Sequence, residues 1–440
     1  MRTITRYAGV VAIVATAAVL GGCANLNSQG TNQLTPLQTQ GVTTATPNPS
    51  INVASNTTPP LPFPQNKQNE PAVAIDPLNS NFVVAGANDE VDLQPCNNDA
   101  SIGCPFTKKV GVSGFYFSAD GGATWTQPTY TGFTGAGCSA ADATCTATTG
   151  VIHTLPNYAA ANLVSDGDPA LAFGPQPGSN GFSWGNGVRL YYGNLTSNLG
   201  STRSETAFKG FEAIAVSYSD DVAGIATGQT PTWSEPVIVS KQNAALFSDK
   251  DALWADNNSN SPYFGNVYMC NIAFRSAEMS PYSLPGPVIF SRSTDGGQTW
   301  SNQQISPAAN NLTGNGRQGC AVRTDSQGVV YVFYLGASNK KSHPPVSDSA
   351  ILMARSTNGG LSFRPARVVS TVTECGLYSS TGGDVFFDGI AGARTDSFPS
   401  VDIANGAPDN TDASDAIAVT WCDASNGVDN EQALVTISTD

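Results

Sequence analysis

An all-β propeller of four-stranded antiparallel blades is the fold this sequence predicts, on three observations. One eight-residue turn occurs three times: Ser118-Ala119-Asp120-Gly121-Gly122-Ala123-Thr124-Trp125, Ser293-Thr294-Asp295-Gly296-Gly297-Gln298-Thr299-Trp300 and, worn, Ser356-Thr357-Asn358-Gly359-Gly360-Leu361-Ser362-Phe363. Each copy stands at the same place in a longer repeat of short strand-like runs, and a repeated turn means a repeated structural unit. The chain is rich in turn formers, with 44 Gly and 28 Pro, and no segment holds a helical period.

The turn has a plain physical reading. Asp or Asn at the corner accepts hydrogen bonds from backbone N–H groups one or two residues on. The glycines after it supply the positive φ of a tight hairpin. The closing aromatic starts the return strand and packs over the turn. Ser118, Asp120, Gly122, Trp125, Ser293, Asp295, Gly297, Trp300 and Asn358 are therefore expected to be structural rather than catalytic.

The strands follow in order. Runs at 115–117, 288–290 and 351–354 precede the three turns. Runs at 267–269 and 329–333 lie one strand upstream. Further upstream, five runs open the units, at 71–75, 169–173, 252–254, 320–322 and 399–401. A fourth short strand closes a unit, as at 236–239. Four alternating strands with Gly, Asn and Asp turns make a propeller blade. In the second unit the turn is broken: Ser217-Tyr218-Ser219-Asp220-Asp221, an insertion, then Thr232-Trp233-Ser234. Units of about 65–100 residues imply large loops.

The pattern S-x-D-x-G-x-T-W is that of the Asp box. On these residues the chain resembles the sialidase-like β-propellers built of BNR/Asp-box repeats, over most of 67–440. The resemblance implies turns on the rim, a central funnel that holds the site, and carbohydrate as the ligand. It does not imply sialidase activity. Catalytic sialidases carry Phe/Tyr-Arg-Ile-Pro at the first inner strand, where this chain has Asn69-Glu70-Pro71, and no Arg-Ile-Pro occurs anywhere.

The N-terminus reads as an address. Arg2 and Arg6 precede an apolar stretch, 8–20, too short to span a bilayer. Leu20-Gly21-Gly22-Cys23 looks like a bacterial lipobox. Residues 1–22 are then a lipoprotein signal peptide, with cleavage and lipidation at Cys23. The protein is expected to be exported and lipid-anchored at the outer membrane or cell surface. Residues 24–66 hold no charged residue and end in Pro59-Pro60-Leu61-Pro62-Phe63-Pro64, a flexible tether. The propeller occupies 67–440.

Loss of the leader removes Arg2 and Arg6, leaving 18 Lys+Arg against 34 Asp+Glu, a net charge of −16. With no basic run in the sequence, nucleic acid is not an expected partner. Beyond Cys23 there are eight cysteines. Cys96 with Cys104 and Cys138 with Cys145 read as local staples, Cys270 and Cys320 lie on strands of adjacent blades, and Cys375 with Cys422 remains by elimination. No C-x-x-C occurs and only His153 and His343 exist, which disfavours zinc and a serine triad alike. A Ca²⁺ ion is the one cofactor considered, at 409–415 (Asp409, Asp412, Asp415) or, more weakly, at Asp89, Glu90, Asp92 and Asp99. The first lacks the Gly and Glu of an EF-hand loop, and solvated turns are the plainer reading of both.

Chemistry is expected where loops enter the innermost strands. There the sequence places Asn69-Glu70, Asp166-Gly167-Asp168, Asp249-Lys250-Asp251, Arg317-Gln318 and Arg394-Thr395-Asp396. Charge recurring at one position in successive blades suggests a polar pocket. Asp168, Asp251, Glu70 and Asp396 are the candidate catalytic carboxyls, because paired carboxyls cleave glycosidic bonds. Asp166, Asp249, Lys250, Arg317 and Arg394 are the candidate ligand contacts. Trp184, Tyr191, Tyr192 and Trp254 are read as blade core before sugar platforms. Two functions follow: a surface-anchored propeller that acts on or binds carbohydrate, or a non-catalytic scaffold that binds protein. The sequence stops at Ile437-Ser438-Thr439-Asp440, where Ser-Thr-Asp begins another turn. The last blade is thus expected to be unfinished, with at least one more beyond it.

Overall fold

A computed structural model describes residues 68–96, 104, 106–140, 142, 144–200, 212–241, 246–275, 286–307, 315–338, 349–378, 385–386, 395–427 and 430–439. The expected signal peptide, Cys23 and the expected tether lie outside them, as do Asp99, His343 and Arg394.

The described chain is five antiparallel meanders. Blade 1 holds β1 (Gln68–Asp76), β2 (Asn79–Asp89) and β3 (Ser113–Ser118), and a hairpin of β4 (Tyr130–Thr134) and β5 (Thr148–Ile152) follows it. Blade 2 holds β6 (Leu163–Gly178), β7 (Gly181–Asn198), β8 (Glu212–Ser219) and β9 (Val237–Lys241), with a short helix α1 (Val222–Ala226) before the last strand. Blade 3 is β10 (Leu246–Ala255), β11 (Val267–Arg275), β12 (Val288–Ser293) and β13 (Ser301–Gln304). Blade 4 is β14 (Asn315–Thr324), β15 (Val330–Ser338), β16 (Ser349–Ser356) and β17 (Arg364–Val372). A two-residue pair, β18 (Leu377–Tyr378) and β19 (Val385–Phe386), leads to blade 5: β20 (Ser400–Ile403), β21 (Ile417–Asp423) and β22 (Gln432–Ser438).

Three sheets are four-stranded as predicted, and the first and fifth are three-stranded. In blade 1 the fourth strand shrinks to one bridge, Phe117 with Thr126. Pro128, which has no N–H to give a ladder, stands two residues on. The insertion expected in blade 2 contains α1, whose Val222 and Ile225 are buried with Trp233.

Both faces of each inner blade are apolar, because strand side chains alternate. In β7, Leu190 and Tyr192 enter a core shared with blade 1, while Tyr191 enters one shared with blade 3. Similar layers join blades 3 and 4, around Tyr268, Phe290 and Tyr334, and blades 4 and 5, around Phe333, Val419 and Trp421. Val73 and Ile75 on the outward face of β1 are exposed, as are Val435 and Ile437 on β22. Four disulfides form: the two local pairs expected, and two that the sequence leaves open, Cys270–Cys320, which ties blade 3 to blade 4, and Cys375–Cys422, which ties the end of blade 4 to blade 5.

The three repeated turns join third to fourth strands and are built alike. Ser118 Oγ donates to Asp120 Oδ1 at 2.7 Å and accepts from Gly122 N at 2.8 Å, and Trp125 Nε1 closes on Gly122 O at 3.1 Å. Ser293 and Trp300 repeat these bonds, as does Ser356 up to its Phe363. The backbone N–H and hydroxyl of Thr124 hold the Asp120 carboxyl down to about 2. In a meander, the starts of innermost strands share one face and the third-to-fourth turns share the other. The repeated turns therefore lie on the face opposite the inner-strand entrances.

Candidate functional site

Four inner strands carry the same defect at the same place. The ladder skips residues between Asn69 and Ala72, Gly167 and Ala170, Asp249 and Ala252, and Gln318 and Cys320. At each skip one residue has positive φ: Glu70 (52°), Asp168 (50°), Lys250 (54°) and Gly319 (46°). In the first two the cause is legible, since Pro71 and Pro169 follow and cannot donate to a ladder. Such bulges re-aim a side chain, and a non-Gly residue at positive φ holds roughly 1–3 kcal/mol of strain that the surrounding sheet must maintain.

Re-aiming brings three blades together. Lys250 Nζ lies 3.2 Å from Asp168 Oδ2, 3.4 Å from Glu70 Oε1 and 3.8 Å from Asp249 Oδ1. Asn88 Nδ2 reaches Glu70 Oε2 at 3.4 Å and Asp168 Oδ1 at 3.3 Å, and its Oδ1 accepts from Asp168 N at 2.5 Å. Gly167 makes room for this: a Cβ there would stand 2.2 Å from Asn88 Oδ1. The Glu70, Lys250 and Asp168 side chains keep 30%, 26% and 13% exposure, so the cluster is open on one side.

Protons divide unevenly across it. Burial pushes Glu70 up to about 7, and hydrogen bonding to Asp168 and its charge push the same way against Lys250. Burial also acts on Asp168, but the Glu70 hydrogen bond and the Lys250 charge outweigh it and hold this carboxyl well below the usual range. Burial raises Asp249 to about 6. For Lys250, burial opposes the charge, and Asp249, Asp168 and Glu70 together overcome it and raise the ammonium. Below about pH 7 Glu70 and Asp168 hold one proton between them, mostly on Glu70.

The remaining predicted residues divide. Asp396 has its ionisation raised to about 7 by burial and then by Glu374, against Lys250; it accepts from Ser397 N at 2.7 Å, and among the described residues no contact joins it to the cluster. Glu374 accepts from Ser349 Oγ. Asp251 does not join the cluster. It takes the position of Pro169 and Cys320 in their strands, where side chains point into the preceding blade. A Cβ on Gly86 would meet Pro169, one on Gly193 would stand 3.3 Å from Asp251 Oδ2, and Cys320 is bonded to Cys270. Both Asp251 carboxyl oxygens are buried without a hydrogen-bond partner among the described residues, and burial raises its ionisation well above the usual range. Asp166 is buried and lines a small cleft with Lys109 and Ser197. Arg317 opens β14, and nothing is described of its side chain. In blade 4 the equivalent position is Gly319, covered by Phe398.

Asn88 and Glu374 escaped the sequence reading. Neither lies at an inner-strand entrance, and only the β1–β2 pairing and the approach to blade 5 bring them in. The aromatic residues considered as sugar platforms are elsewhere: Tyr191 and Tyr192 are fully buried, Trp184 packs on Phe264, and Trp254 bonds Thr324 Oγ1 under Arg323. Asp89 accepts from Tyr116, Gln127 and Gln68, and Asp92 from His153 and Thr154. Asp409 caps Thr411 N, and Asp415 accepts from Ser326.

No family model matches the chain, and no curated protein matches it. Among solved structures it is similar to a protein of unknown function from Dyadobacter fermentans (15% identity, 86% of this chain and 77% of that one, TM-score 0.44). It is also similar to the leech intramolecular trans-sialidase (11%, 84% and 60%, TM-score 0.39). A third is an α-L-arabinofuranosidase of Fusarium graminearum (11%, 86% and 95%, TM-score 0.39). At these values none of them lends its activity to this chain.

Proposed function

We propose that the axial cluster is a carbohydrate site of glycoside-hydrolase type. The observation that carries it is geometric: Glu70 and Asp168, from two blades, meet on the same Asn88 Nδ2 and the same Lys250 Nζ in a cluster open on one side. Carboxyl groups whose environments push their ionisation apart are how one site runs acid and base chemistry near neutral pH. Glu70 is the proton donor to the glycosidic oxygen and Asp168 the ionised group that holds its proton in place, with Asp396 as the candidate for a second carboxyl. Lys250 limits the negative charge that gathers there. Among the described residues no arginine pairs with the cluster, so sialic acid is not the sugar proposed. The lipobox-like Leu20-Gly21-Gly22-Cys23 and the uncharged stretch after it support a position at the outer membrane or cell surface for this domain.

A panel of 4-methylumbelliferyl glycosides tests the reading. Turnover of at least one neutral glycoside, abolished in Glu70→Gln and Asp168→Asn, is expected; the sialoside is expected to stay intact. Turnover unchanged in both variants would refute it.

A second reading rests on the same contacts. Lys250 has three carboxyl partners and Asn88 spans two of them, an internally satisfied clamp across blades 1 to 3. On that reading the propeller is a non-catalytic scaffold for a protein partner. Binding without turnover on a glycan array would leave the carbohydrate reading standing, and silence in both assays would favour the clamp.

A further inference from the structure

The outer edge of blade 4 carries a feature that is invisible along the chain. Arg355, Arg364 and Arg367 are all exposed. In the sheet Arg355 stands directly opposite Arg364, and Arg367 opposite Met353. Residues three apart in a regular strand point to opposite faces. Here a bulge around Pro365 and Ala366 inserts one residue between the two pairings, and that returns Arg364 and Arg367 to one face. The row continues inward through Tyr331 to Arg323. Arg355 stands over the Tyr331 ring at 5.8 Å, and Arg323 pairs with Asp402. The three outer arginines have no carboxylate partner among the described residues.

Charge on an edge strand commonly blocks edge-to-edge pairing. That role needs scattered charges, and like charges directly opposite each other destabilise a sheet. A facing Arg355–Arg364 pair with a third arginine about 10 Å along the strand, on a chain of net charge −14, is better explained by a ligand that neutralises it.

We propose that this edge binds an anionic polysaccharide through its carboxylates. Guanidinium forks match carboxylates in two parallel hydrogen bonds. A single flexible chain can touch the row alone. A duplex or a membrane presents a broad anionic surface, which the acidic remainder of the molecule repels. The inference is independent of the axial site, because it concerns binding on the rim and not turnover.

Affinity electrophoresis and calorimetry at low salt test it, with polygalacturonate, its fully methyl-esterified form and dextran as probes. The wild-type protein is expected to bind polygalacturonate only, more weakly as salt rises. R355Q/R364Q/R367Q is expected to bind about tenfold or more weakly, with turnover of small glycosides unchanged. R355K/R364K/R367K keeps the charge without the fork and is expected to fall between; it carries the test should the glutamine variant not fold. Equal binding of the esterified polymer, undiminished binding by the variants, or preference for duplex DNA or phosphatidylserine vesicles would overturn the proposal.

Discussion

Replacing Glu70 by Gln should make the protein more stable at pH 8 while ending the proposed turnover. The folded protein holds the Glu70 proton to about pH 7, against an ordinary value of 4.5. At full burial that difference corresponds to about 3 kcal/mol. The side chain is 30% exposed, so solvent screening lowers the figure to about 2 kcal/mol. The sign follows from proton binding. Between pH 4.5 and 7 the folded state binds this proton and the unfolded chain does not, so stability falls as pH rises. The contribution is full below the unfolded value and is lost through about pH 7. Gln keeps the shape, stays neutral at every pH and can donate to Asp168 as the protonated carboxyl does. The variant should therefore match the wild type at pH 4 and exceed it by about 2 kcal/mol at pH 8, a few degrees in Tm. Thermal and denaturant unfolding at both pH values measure this. A Glu70→Gln protein less stable than wild type at pH 8, or a difference that ignores pH, would show that Glu70 does not hold the shared proton.

Asp168→Asn should lower turnover by about 10²–10⁴, with glycan binding changed far less; an unchanged rate excludes Asp168 from the chemistry. Exchanging both Cys270 and Cys320 for Ala should cost about 2–4 kcal/mol and also disturb the site, because Cys320 Sγ lies 3.5 Å from the Lys250 carbonyl; calorimetry with a binding titration separates the two effects. Gly122→Ala places a Cβ at φ +90° and should destabilise by about 1 kcal/mol or more without altering activity, since that turn is on the opposite face. Asp251→Asn should leave turnover intact; a large loss would return Asp251 to the site.

Several of these expectations rest on residues that local sequence already marks. Asn88 is different: it precedes Asp89 in a second strand, where nothing along the chain distinguishes it from a turn-forming asparagine. The converse holds for Asp251. It sits next to Lys250 in a run of three charges, which promised three side chains in one pocket. A strand alternates, however, and the bulge turns Lys250 toward the axis while Asp251 enters the neighbouring blade. The arginine edge shows the same limit, for its members are separated by β16–β17 and a bulge.

What the sequence determined by itself is everything with a local cause. Glycines at fixed offsets dictate the hairpins, alternation dictates strands apolar on both faces, and prolines after Glu70 and Asp168 dictate where the inner ladders break. From these the blades, their order and the level of the site follow. What only the tertiary structure decided is which charged groups meet. The contacts of Lys250 with Asp168 and Glu70 span 82 and 180 residues. Such contacts depend on how blades rotate against one another and on which way each bulge turns its side chain. Proton affinity depends in turn on those distances and on burial, so it too is set only in the assembled propeller.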